Sequence, residues 1–93
     1  MSFSIKKLSD DFFEVTVVEP STTTHTVTIT DQSLNDLTDN NVTKTQLLKF
    51  SFRFLLGREP NTSILSSFDI NVISKYFPNY KDEVRRWYDE SQN

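Results

Sequence analysis

The chain has 93 residues, no cysteine, eight Phe, three Tyr, one Trp and a net charge of −3. These numbers predict one small domain, residues 1–93, stabilised by an aromatic core, and they exclude disulfides and thiolate metal sites. No segment approaches the ~20 apolar residues of a membrane span. No apolar run follows the lysines of "MSFSIKKLSDD", so no secretion signal is read and a cytoplasmic location is expected.

The chain changes character near Asp31. Before it, β-branched and aromatic residues alternate with polar ones, the period of a half-buried strand. Phe3 and Ile5 alternate with Ser4 and Lys6, and Ser9, Asp10 and Asp11 form a turn signal. In "FFEVTVV" Phe13, Val15 and Val17 share one face, and Phe12, Glu14, Thr16 and Val18 the other. "EPST" gives the next turn, with Pro20 ending the strand pattern. "TTHTVTIT" places His25, Val27 and Ile29 on one face and Thr24, Thr26, Thr28 and Thr30 on the other. Residues 2–30 are thus predicted as an antiparallel hairpin or three-stranded meander over a core.

Asp31 to Asn41 reads as irregular or a single helical turn anchored by Leu34 and Leu37. "TKTQLLKFSFRFLLG" then predicts a helix over 43–57 with apolar side chains on nearly all sides. Thr43 and Gln46 have the spacing of a capping box. Gly57, the single glycine, stands where a left-handed C-cap is expected. Phe50 and Phe54 lie one turn apart and are both expected to be buried. A second helix is predicted over 60–68, with Pro60 in its first turn and Ile64, Leu65 and Phe68 inward. A third is predicted over 70–77, capped by Asp69 and bearing Ile70, Val72, Ile73, Tyr76 and Phe77. The last, over 79–90, carries Tyr80, Val84, Trp87 and Tyr88 as an amphipathic stripe, with i,i+4 pairs Asp82–Arg86, Arg85–Asp89 and Arg86–Glu90 on its other face. The expected fold class is α+β, an N-terminal antiparallel sheet packed on three to four helices.

Chemistry is less legible. Residues 1–41 carry two lysines against seven carboxylates, whereas residues 42–93 carry eight basic side chains against six acidic ones. Two electrostatically complementary halves explain this better than a basic surface for nucleic acid. His25, the only histidine, is the natural general-base candidate, but its neighbours are threonines, so packing or cross-strand hydrogen bonding is the favoured reading. One glycine already placed at a helix end leaves no phosphate loop, and "DNN" at 39–41 lacks the spaced acids of a calcium loop. Thr24, Thr26 and Thr28 could form a binding ladder or a self-pairing edge; water-compatible residues on an exposed face are the simpler account. Arg85 and Arg86 read as a solvated, ion-paired face. For Arg58 and Glu59 the structural account is that Arg58 meets carbonyls at the end of the central helix and Glu59 caps the next one; the functional account is a docking or anion-binding arginine.

The stretches "FSFRFLLGREPNTSIL" and "FDINVISKYFPNY" resemble a family of small bacterial proteins of uncharacterised function, whose pattern runs from an aromatic-leucine helix through "REP" and "SIL" to "ISxYFPxY". The resemblance covers most of residues 12–84 and implies no enzyme activity, cofactor or catalytic residue. The expectation is a non-enzymatic protein with no cofactor or metal, acting through an unidentified protein partner or by self-association. Its candidate surface comprises Arg58, Glu59, Thr24, Thr26, Thr28, Arg85 and Arg86. The alternative is a nucleic-acid-associated protein using the basic helical half. Enzymatic use of His25 ranks third.

Overall fold

The computed structural model describes residues 3–18 and 21–91. Glu19 and Pro20, expected in the turn after the second strand, lie outside the described residues, as does Ser2. The alternating N-terminal sequence forms β1 (Phe3–Lys7), β2 (Phe12–Val17) and β3 (Thr23–Thr28). They pair antiparallel, with Ile5 opposite Val15 and Val15 opposite His25. This register sends Phe13, Val15, Val17, His25 and Val27 to one buried face. Lys6, Glu14 and Thr26 form a row on the other face, beside the row of Ser4, Thr16 and Thr24. The fold class is α+β, as the patterning predicts.

A fourth strand, β4 (Ser67–Asp69), runs parallel to β3 with Phe68 opposite Val27, giving the order β1-β2-β3-β4. It lies in the stretch expected to be a helix over 60–68, which does not form. Pro60 instead leads into a 3-10 turn at Asn61–Ser63, and Ile64 is extended at φ −80°, ψ 136°. The spacing of Ile64, Leu65 and Phe68 suits a helix, but long-range bonds to β3 override that local preference. Thr26 N–H donates to Ser66 O at 2.8 Å and His25 Nδ1 to Leu65 O at 2.7 Å.

Asp31–Thr38 is an eight-residue helix, α1, longer than the irregular chain or single helical turn expected there. The missed signal is Thr30, whose strand period places it on the threonine face of β3. Its hydroxyl caps α1 by accepting from Ser33 N–H at 3.1 Å. The helix closes on Asp39 and Asn40 at φ 52° and 59°, a left-handed region that short polar side chains tolerate.

Helix α2 (Lys44–Leu56) begins with the expected capping box: Thr43 accepts from Gln46 N–H, and Gln46 accepts from Thr43 N–H. Its end differs from expectation. Gly57 has φ −75°, ψ −13°, ordinary right-handed backbone, so it is not a left-handed cap. The last turn tightens as Arg58 N–H donates to Leu55 O, three residues back, beside the Glu59 N–H bond to the same oxygen, and Pro60 has no N–H to carry the ladder further. The helix is also less enclosed than its sequence suggests. Gln46, Lys49 and Arg53 are exposed, and Phe50 is half-buried rather than buried.

Phe52 faces the sheet, its ring 6.0 Å from Phe3, 5.5 Å from His25 and 6.3 Å from Phe68. Phe54 faces the other way, edge-on to Phe77 and Tyr80 at 5.7 and 5.4 Å. Helix α2 therefore lies between the sheet and the C-terminal helices. Asp69 caps as expected by accepting from Asn71 N–H at 2.9 Å. Beyond it the chain makes a 3-10 turn at Ile70–Val72 and a single turn, α3 (Ile73–Tyr76), rather than one helix over 70–77. Helix α4 (Tyr80–Ser91) buries Tyr80, Val84 and Tyr88 of the predicted stripe and leaves Trp87 half-buried. None of its three expected i,i+4 ion pairs forms among the described residues; Arg86 instead meets Glu83 at 3.4 Å. No helix is long and apolar enough to cross a membrane.

Candidate functional site

The sequence-predicted surface residues do not converge. Thr24, Thr26 and Thr28 lie on the sheet face away from α2, with Thr24 exposed and the other two half-buried. Thr26 and Thr28 are no free edge, because β4 pairs beside them. Arg85 and Arg86 are exposed on α4, beyond α2. Arg58 lies over the Phe54 ring at 3.6 Å and donates from an Nη to Phe54 O at 3.1 Å. It thus satisfies a carbonyl at the end of α2, as the structural account expects. Glu59 does not cap the next helical segment, whose N-cap is Pro60 without a side-chain bond.

His25 is 2% exposed and engaged at both ring nitrogens. A carbonyl can only accept, so Nδ1 carries the proton given to Leu65 O. In that tautomer Nε2 accepts from the Thr23 hydroxyl at 2.8 Å. Asn61 Nδ2 donates to Thr23 Oγ1 at 2.9 Å and to Ser21 O at 2.6 Å. Its Oδ1 is buried without a partner among the described residues. The chemistry of this relay is structural: it fastens residues 61–65 to β3.

Lys44 is the other concentrated polar feature. Its side chain is 12% exposed, and Nζ donates at 2.8 Å to Asp10 O, Asp11 Oδ1 and Asp31 Oδ1. Burial disfavours its charge, but the bonds to Asp11 and Asp31 outweigh that and hold its pKa above the ordinary lysine value. The same bond, with the lysine charge behind it, holds the Asp31 carboxyl below its usual range. With its three protons used, Lys44 ties the β1–β2 turn to the starts of α1 and α2. Among the described residues no group of three or more His, Cys, Asp or Glu is placed to hold a metal ion.

The remaining feature is apolar. Between the end of α2, the 61–65 segment, β4 and α3 lies an open groove of about 370 Å³. Leu55 and Phe68 form its floor side, Ile64 and Leu65 one wall, and Val72, Ile73, Tyr76 and Phe77 the other, with Ser63 and Glu59 among them. Leu65 is 48% exposed and Tyr76 68%, although the helical spacing predicts Leu65 to point inward and sets Tyr76 among the apolar residues of the third helix. The extended β4 turns Phe68 into the core, and Leu65, in the irregular chain before it, stays outside. The short α3 leaves Tyr76 exposed at its last position, with no further helical turn to cover it. Ser66 and Ser67 fall on the polar side of the same helical spacing, so the local sequence carries no sign of the strand. Comparison with family models, with curated proteins and with solved structures finds no match for this chain.

Proposed function

We propose that this chain is a non-catalytic cytosolic protein that works through protein contacts, as an adaptor, a modulator or a homo-oligomer, and that the groove beside Tyr76 is its contact surface. The observation that carries this reading is the 68% exposure of Tyr76 next to concave apolar walls. Tyrosine combines a large apolar body with a polar tip and is enriched where interfaces close over such hollows. The non-catalytic part draws support from His25, whose two nitrogens are committed to internal partners out of reach of a substrate.

A nucleic-acid role is the second reading, favoured by Lys49 and Arg53 beside the half-buried rings of Phe50 and Trp87. Those rings are stacked on each other at 4.7 Å and 16°, so each already occupies one π-face that a base would need. A photo-crosslinking residue placed at position 76, with exposed position 32 as control, tests the choice. A discrete protein adduct from position 76 and none from position 32 is expected, and an adduct of twice the chain's mass would identify self-association. Equal labelling from both positions would reject the groove. So would salt-sensitive oligonucleotide binding abolished by Lys49→Glu with Arg53→Glu, which would establish the second reading.

A further inference from the structure

Two features meet at this groove and together define what can fill it. The first is a free sheet edge. Thr26 N–H donates to Ser66 O, and in a parallel ladder Thr26 then bridges Ser66 and Phe68. The peptide groups of Ser67 therefore point away from β3, and β4 is the end strand of the sheet. Among the described residues no loop backbone or side chain is bonded to them. The second feature is charge. Glu59 is the single charged residue lining the groove, and no ion pair engages it among the described residues.

We infer that the groove takes an extended segment of a partner protein, apolar with one lysine or arginine, which adds to β4 as a fifth strand. This rests on the contact-surface reading above and specifies its occupant. A residue of that segment opposite Ser67 exchanges hydrogen bonds with it and sends its own side chain to the open face of the sheet. Its two neighbours, by the period of two, project to the Phe68 side, where the groove begins. There they meet Leu65 and Tyr76, and a cationic side chain reaches the unpaired carboxylate of Glu59. Strand β4 has only three residues, so backbone pairing supplies few hydrogen bonds and the groove must supply most of the affinity. A short edge of this kind also resists indiscriminate strand pairing, which makes the occupant selective.

The test is selection of a displayed library of random dodecapeptides on the intact protein, followed by titration of the enriched peptide into isotope-labelled protein. Enriched sequences should alternate apolar and polar residues and carry a lysine or arginine. The Ser67 amide should shift and its hydrogen exchange should slow. N-methylation of the peptide amide opposite Ser67 should weaken binding about tenfold, the effect of one lost hydrogen bond. Glu59→Gln should weaken it severalfold and remove the preference for the cation, and the exposed position of Tyr76 lets Tyr76→Ser test the wall without disturbing the fold. Peptides with helical spacing, or shifts in the groove that spare Ser67 and survive N-methylation, would overturn strand addition while leaving the contact surface standing. No enrichment, or enriched peptides that perturb only residues outside the groove, would overturn both.

Discussion

Ser51 and Tyr80 meet in the core with 2.6 Å between their oxygens, both side chains out of reach of water. Ser51 Oγ donates its proton to Leu47 O at 2.8 Å, so the Tyr80 hydroxyl is the donor between them. The two truncations are therefore unequal. Ser51→Ala strands a buried hydroxyl and should cost about 1–3 kcal/mol in a denaturant melt. Tyr80→Phe leaves Ser51 still bonded to Leu47 and should cost less, and the double variant should cost less than the sum of the two. Burial pushes the Tyr80 hydroxyl well above the ordinary tyrosine pKa, with the Ser51 bond opposing it. The folded state thus keeps this proton while the unfolded chain begins to release it near pH ~10. Stability is unaffected below that pH and falls as pH rises above it, toward the folded-state pKa. Subtracting the Tyr80→Phe stability curve from that of the parent should isolate this alkaline loss. A difference that stays flat between about pH 9 and 11 would refute the buried-donor geometry.

The two ends of α2 differ in how far local sequence decides them. Its start is set by a three-residue spacing, Thr43 to Gln46, whose two hydrogen bonds involve only those residues. That is why the capping box was legible, and Thr43→Ala should cost about 1 kcal/mol. Its finish was misread because a glycine after an apolar run has the same appearance whether its backbone is left- or right-handed. The right-handed Gly57 has no need of glycine's freedom, and an added Cβ would sit 3.4 Å from Arg53 O, at ordinary contact distance. Gly57→Ala should therefore stabilise the protein by about 0.4–1 kcal/mol, by restricting the unfolded chain. A loss of similar size in thermal melting would instead imply a left-handed position. The same distinction separates α1 from β4. Thr30 and Leu34 lie within one turn of each other and could have been recognised as the start of a helix. β4 and the chain leading to it are held by partners about 40 residues distant, Thr26 with Ser66, His25 with Leu65 and Thr23 with Asn61, and no local period encodes those.

Across the molecule, β3 is the hub. It holds the meander on one side and, through His25 and Thr23, the segment that walls the groove on the other. The meander, α2 and α4 were legible because each carries its own apolar period. The groove was not, since Leu65 is exposed where a strand paired with β3 stands in place of the expected 60–68 helix, and Tyr76 is exposed at the end of the single-turn α3. His25→Leu removes both ring hydrogen bonds at similar volume. It should speed amide exchange at Thr26 and Phe68 while β1 and β2 keep their protection. Exchange rising evenly over the sheet would show instead that the segment and the meander open as one unit. The aromatic stack on the far side of α2 makes a different question, whether α4 leaves before the rest unfolds, answerable by light. Trp87 is the chain's only indole and lies against Phe50 of α2, so its emission reports the docking of α4 on α2. Far-ultraviolet dichroism reports the backbone as a whole. If the fluorescence and dichroism transitions coincide, the C-terminal helix and the sheet unfold in a single cooperative step. If the fluorescence changes first, α4 detaches from a still-folded remainder, and the molecule carries its own optical gauge of that event.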